Sequence, residues 1–213
     1  MPEVCEVRLT ALYLNAKLRT RYLTDIEIVD GKYMTKVLPG YDDFMKYNKY
    51  KFISVNSKGK FLWFELENVE SKEKWWLMNS LGLEGRWSFK KIHSQRIKFT
   101  IKDKKRKYIL WFCDQPSFGN LKFTKDKFVL DKKLKDLSPD LLQESFTNKD
   151  MYERIVKFVG KSKARKKMKI VKVLMNYQEK GIGSGIGNYL SAEILYRAKL
   201  SPHCTMQSLI DNS

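Results

Sequence analysis

Apolar positions recur every three or four residues at the start of the chain. Val4, Val7, Ala11, Leu14 and Leu18 fall on one side of a helix over residues 3–18, opened by Pro2 and Glu3. From about residue 22 to 124 the period changes to two. Ile26 and Ile28 alternate with acids, and Phe61, Trp63 and Glu65 alternate against Leu62, Phe64 and Leu66. KWWLMNS, RIKFTI, KYILWFC and GNLKFT are short, β-branched or aromatic, and bounded by turn residues. This pattern predicts antiparallel strands closing into a sandwich or barrel-like layer pair, with a short helix over YDDFMKY (41–47). Residues 125–136 are rich in Lys and Asp and read as a linker or a poorly packed helix. LSPDLL (137–142) reads as a turn leading into helix. MYERIVKFV, KMKIVKVLMNYQ and NYLSAEILYRA have helical spacing, and PHCTMQSLIDNS (202–213) begins one more helix. The expected class is α+β: an N-terminal helix with an antiparallel β-sandwich over 1–125, then a helical module over 136–213.

Charge narrows the choice of partner. Forty-two Lys and Arg against 24 Asp and Glu leave +18, spread along the chain rather than held in a tail. A polyanion is the simplest partner, nucleic acid ahead of an acidic membrane surface. Cys5, Cys113 and Cys204 are far apart with no CxxC, which argues against a disulfide framework and against a zinc site built within this chain. His203 and Cys204 read as ordinary loop residues. No signal peptide or membrane-length apolar run is evident. A reducing, DNA-containing compartment is expected (nucleus, nucleoid or viral factory), with no cofactor, no metal and a monomeric state.

Two segments carry candidate chemistry. Loss of Met1 before a small residue would leave Pro2 as a secondary amine beside Glu3. An α-amino group titrates near pH ~8, far below a lysine, so an N-terminal proline is a ready nucleophile toward a sugar aldehyde. Glu3 could move the protons. GIGSGIGN (181–188) followed by a helix is the second segment. Glycines allow close backbone approach, and a helix starting near Asn188 aims free N–H groups at an anion. It is a poor dinucleotide fingerprint, because the preceding segment is helical and no βαβ unit surrounds it, and it is not a Walker loop, because no GK[ST] follows. A helix–glycine turn–helix in so basic a chain favours a nucleic-acid backbone.

SGIGNYLSAEILYR (184–197) resembles the helix–two-turns–helix signature of the formamidopyrimidine-DNA glycosylase / endonuclease VIII family, with the endonuclease VIII-like branch nearest. PEVCEV (2–7), SKGKF (57–61), SLGLEG (80–85) and DQPSFG (114–119) resemble its other blocks in order, so the resemblance spans nearly the whole chain. It implies that Pro2 attacks the anomeric carbon and forms a Schiff base, that Glu3 is general acid/base, and that Lys60 contacts a phosphate and assists the lyase steps. It further implies DNA contacts from Gly185, Gly187, Asn188 and Gln178, and wedges at Leu83 and Phe118. Glu6 and Glu193 would support the amine and its hydrogen-bond network.

Departures from the family pattern also carry expectations. Pro116 and Ser117 stand where two arginines are usual, which suggests weak opposite-base discrimination or a preference for single-stranded DNA. Ser80 replaces a His or Arg. Asn176 and Tyr177 disturb the block before the glycine loop. The family's C-terminal finger is absent from the sequence, so weaker DNA binding is expected. The resemblance implies a bifunctional DNA glycosylase/AP lyase acting on oxidised pyrimidines and hydantoins ahead of 8-oxoguanine, on single- or double-stranded DNA. The alternatives are a non-catalytic DNA-binding relative and an AP lyase without glycosylase turnover.

Overall fold

The N-terminal helix α1 (Val4–Leu18) buries the stripe that its spacing predicts: Val4, Val7, Ala11, Leu14 and Leu18 are all sealed from solvent. A reciprocal capping box opens it, in which the Glu3 side chain accepts from the amide of Glu6 and the Glu6 side chain accepts from the amide of Glu3. The computed structural model describes residues 1–143, 145–176 and 181–211. Gln178 lies outside the described residues.

Eight strands follow: β1 (Tyr22–Ile28), β2 (Tyr50–Lys58), β3 (Phe61–Asn68), β4 (Lys74–Ser80), β5 (Arg86–Ser88), β6 (Gln95–Lys102), β7 (Lys107–Cys113) and β8 (Asn120–Thr124). A one-turn 3-10 helix (Gly31–Met34) and α2 (Tyr41–Met45) lie between β1 and β2. The strands form one antiparallel sheet in the order β5-β7-β6-β1-β2-β3-β4-β8. The sandwich arises because this sheet rolls over on itself. Trp87 of edge strand β5 packs on Phe64 of β3 with ring centroids 5.0 Å apart, and its indole N–H donates to Asn79 of β4 at 2.9 Å. Neither β3 nor β4 is a neighbour of β5 in the sheet, so these contacts join opposite layers. The alternating Leu62, Phe64 and Leu66 point into the space so enclosed.

Residues 125–136 are not a linker. They form α3 (Lys127–Lys135), capped by the Asp126 side chain on the Phe128 amide. Leu130 is buried with Leu137 against Phe61, Trp76 and Met78 on the outer face of the sheet. A single buried turn suffices to dock the helix, and the surrounding lysines hide it from a periodicity search. The 137–142 turn does not run directly into helix either. The next helix, α4 (Asn148–Gly160), starts after a Thr147–Asp150 capping box.

Of the expected helix over KMKIVKVLMNYQ (167–178), the described residues form only the short α6 (Ile170–Leu174), and a separate one-turn helix, α5 (Lys163–Lys166), precedes it. Tertiary pairing overrides helical spacing here. The Ile170 amide donates to Cys204 O and the Met206 amide to Met168 O, which pulls Lys169 into an extended conformation. Helices α7 (Asn188–Arg197) and α8 (Met206–Asp211) complete the described elements. Phe158, Val159, Ile170, Val173, Leu174, Ile182, Ile186, Leu195 and Met206 bury a second core of their own. No described helix is long and apolar enough to cross a membrane.

Candidate active site

Three segments remote in sequence meet at the start of α1. The first is the N-terminus itself. The second is the tip of the β2–β3 hairpin, where Lys58 pairs with Phe61 across the two-residue turn Gly59-Lys60. The third is the glycine loop that leads into α7.

Close backbone approach makes this meeting possible. Residues 181–187 are all buried, and the loop is pinned along its length. Ser184 N donates to Pro139 O at 2.8 Å and Val4 N donates to Gly185 O at 3.0 Å. Gly185 sits at φ +108°, where a Cβ would overlap Val4, and a Cβ on Gly187 would overlap the Glu3 carboxylate and the Lys60 ammonium. Gly185 and Gly187, expected to meet DNA, are therefore turned inward against protein. Asp140 locks the hairpin tip from the other side, its carboxylate accepting from the Gly59 amide at 3.0 Å and the Leu142 amide at 2.9 Å.

Glu3 is 1% exposed, and its carboxylate sits on the N-terminus of α7. It accepts from the amides of Gly187 (2.6 Å), Tyr189 (3.1 Å) and Leu190 (3.3 Å). The amides expected to bind an external phosphate are thus satisfied by an internal carboxylate. Asn188 lies exposed at the first position of the helix.

Glu6 accepts from the Glu3 amide at 3.0 Å and from the Tyr189 hydroxyl at 2.5 Å. Burial opposes ionisation of Glu6, but the Tyr189 hydroxyl and the backbone amides outweigh it and hold the carboxyl below its usual range. The Tyr189 phenol is pushed up by burial and by Glu6. Burial lowers the Lys60 ammonium, with Glu3 and Glu6 partly opposing the shift. Glu193 is not part of this group. It lies on the exposed face of α7, where its carboxylate accepts from Arg197 at 2.6 Å.

Pro2 is half-buried and lines two clefts. The larger, about 510 Å³, runs from Pro2 and Glu6 to Leu83, Arg86, His93 and Gln115. The smaller, about 220 Å³, lies between Pro2, Lys60, Ser80 and Ser184. Leu83 and Phe118 stand 46% and 58% exposed on adjacent loops. Those loops touch where Gly82, at φ +70°, abuts Gly119 and the Phe118 backbone. With the 116 and 117 arginines missing, Arg96 of β6 holds the second loop from beneath, donating to the carbonyls of Asp114 and Gln115 at 2.9 Å each. Asp114 itself accepts from the Tyr33 hydroxyl and the Gly119 amide.

Sequence reading missed Tyr189, Asp140 and Arg96. Tyr189 directly follows the singled-out Asn188, and Asp140 lies within the turn motif at 137–142. Arg96 has no comparable signal, because it acts from a different strand.

Residues 1–121 match the family model described as the formamidopyrimidine-DNA glycosylase N-terminal domain, and the chain belongs to that family. It is 26% identical over 220 residues to a formamidopyrimidine-DNA glycosylase of Corynebacterium diphtheriae, covering 95% of this chain and 70% of that protein. A relative of the same name from Arabidopsis thaliana is 29% identical over 171 residues, covering 74% and 40% of the two chains. The fold matches a crystal structure of the Lactococcus lactis enzyme with DNA containing an oxidised pyrimidine (TM-score 0.74, 22% identity, 97% of this chain and 71% of that one). The matched relatives are named formamidopyrimidine-DNA glycosylase rather than endonuclease VIII, so the expected endonuclease VIII-like branch is not supported.

Proposed function

We propose that this chain is a base-excision-repair DNA glycosylase with AP lyase activity, working through the amine of Pro2 once Met1 is removed. The observation that carries the reading is the convergence of Pro2, buried Glu3 and Lys60 in a chain of this family. Its net charge of +18 suits a DNA partner.

The chemistry follows from the geometry. The Pro2 nitrogen attacks the anomeric carbon of a nucleotide drawn out of the duplex, and the bond to the damaged base breaks as the base leaves with a proton. Ring opening gives an iminium. It acidifies the hydrogen on the neighbouring carbon, and loss of that proton expels the 3′ phosphate by β-elimination. Water then hydrolyses the iminium and restores the amine. Glu3 is the acid/base for these transfers, positioned by the amides of Gly187, Tyr189 and Leu190, and Lys60 holds a flanking phosphate. Glu6 and Tyr189 orient the backbone that carries the amine. Leu83 and Phe118 fill the gap left by the extruded base, and Asn188 contacts the DNA backbone. DNA lies between a catalytic part over 1–125 and a helical part over 136–213, along the smaller cleft that Lys60 and Ser184 border.

The substrates are oxidised bases, pyrimidines and hydantoins among them, and abasic sites. The structural relative bound to DNA containing an oxidised pyrimidine is consistent with that range. Loss of the two arginines at 116 and 117 favours a second reading, a DNA-binding relative without turnover.

Borohydride trapping on DNA carrying an abasic site tests the proposal, after intact mass has confirmed loss of Met1. A covalent adduct in the wild type that is lost in Pro2→Gly or with Met1 retained is expected. DNA binding without an adduct would favour the non-catalytic reading.

A further inference from the structure

The smaller cleft beside Pro2 has a wall that the mechanism above leaves unused. Lys133, from the last turn of α3, lines it together with Lys60. Ser80 and Ser184 face the same space, and no carboxylate lines it. The larger cleft differs in kind, since Glu6, Glu84 and Asp114 all border it. The two clefts that share Pro2 are therefore electrostatically unlike, and the smaller one presents two ammonium groups and two hydroxyls.

Lys133 is held in place. Its ammonium lies 5.8 Å from the centroid of the Phe61 ring, and among the described residues it forms no ion pair. The helix beneath it is anchored by Leu130 and, just beyond its end, by Leu137. Lys58 clamps the carbonyls of Leu134 and Leu137 at 2.7 and 3.1 Å. The same hairpin thus presents Lys60 to the cleft and fixes the helix that presents Lys133. Lys127, on the same helix, is instead exposed and spent on Asp131 at 2.8 Å.

Two cations 73 positions apart in sequence, sharing a cleft whose own lining holds no carboxylate while Glu3 lies behind Lys60 at Gly187, suit a tetrahedral anion with several oxygens. We infer that Lys133 is a phosphate-binding residue which, with Lys60, holds the phosphodiester next to the nucleotide that Pro2 attacks. The inference rests on the reading of the chain as a DNA glycosylase. It adds a positioning contact supplied by α3, the segment whose composition suggested a linker or a poorly packed helix.

The test is binding to a duplex containing an uncleavable tetrahydrofuran site, measured across a salt series with the full chain. Lys133→Ala should weaken binding about tenfold at low salt, and the log–log salt slope should become shallower by about 0.9. Lys133→Arg should keep the wild-type slope, and adding Ser80→Lys to Lys133→Ala should restore it from across the cleft. Lys127→Ala, with the same charge change on the same helix, should leave the slope unchanged. A wild-type slope in Lys133→Ala at an unaltered melting temperature would overturn the assignment. So would an equal loss in Lys127→Ala. A wild type that binds no DNA would instead overturn the glycosylase reading beneath it.

Discussion

Gly187 shows how tightly single residues are constrained at this site. No side chain fits there, because the position is filled by the Glu3 carboxylate and the Lys60 ammonium. Gly187→Ala should therefore lower borohydride trapping at least as much as it lowers stability, whereas the same change at Gly160, where a Cβ meets nothing, should leave trapping unchanged. Tyr189→Phe tests the hydrogen bond to Glu6. Without the hydroxyl, the lowered Glu6 carboxyl should rise toward its ordinary value. The sign for stability follows. A depressed carboxyl contributes stability that is present above its unfolded-state pKa and lost as pH falls through the folded one. Tyr189→Phe should therefore give up part of that contribution at neutral pH, and its stability should fall less than the wild type's on acidification, as melting curves against pH would report. The pairing could not be read from sequence, because Glu6 and Tyr189 are joined only by the docking of α7 on α1.

At the scale of elements, the structure separates what local pattern can reveal from what it cannot. α1 was legible because five apolar residues share one face and Pro2 and Glu3 open it. β1 and β3 were legible from the alternation at Ile26 and Ile28 and at residues 61–66. α3 was legible only as one of two alternatives, a linker or a poorly packed helix, since its burial rests on Leu130 and its neighbours amid lysines. The late start of α6 at Ile170 was not legible, because residues 204–206 impose it from outside the segment. Truncating Leu130 should show that α3 is integral to the fold. Leu130→Ala is expected to cost about 2–5 kcal/mol in urea melts. If Lys133 acts as inferred, it should also weaken DNA binding by disturbing that wall of the cleft. A cost below 0.5 kcal/mol would mean that the helix is only loosely attached.

Across the whole molecule, the positive excess is distributed unevenly. From Arg154 to Lys172 the chain carries nine cations and no carboxylate. Non-specific DNA affinity should fall linearly on a log–log salt plot. Reversing Lys163, Lys166 and Lys167 to Glu should weaken binding to any duplex sequence alike, measured by fluorescence anisotropy on two unrelated duplexes. An effect confined to damaged DNA would place those lysines in lesion recognition instead. Net charge made a polyanionic partner legible from composition alone. The assembly of the site was not legible in that way, because it depends on how the sheet and the helical core meet.

The hydrogen bond from Gly187 to Glu3 closes a loop of 184 residues. On a ribosome, the first residues emerge long before the segment that completes their surroundings. Pro2 can lose its methionine early, yet the carboxylate beside it gains its three amide donors only after α7 has been synthesised and docked. Such a long-range closure comes late in folding, since its entropic cost must be met by contacts already made. A growing chain would thus carry the amine without the geometry that directs it. The timing of synthesis would keep an immature nucleophile from reacting productively with DNA until α7 has been made and docked.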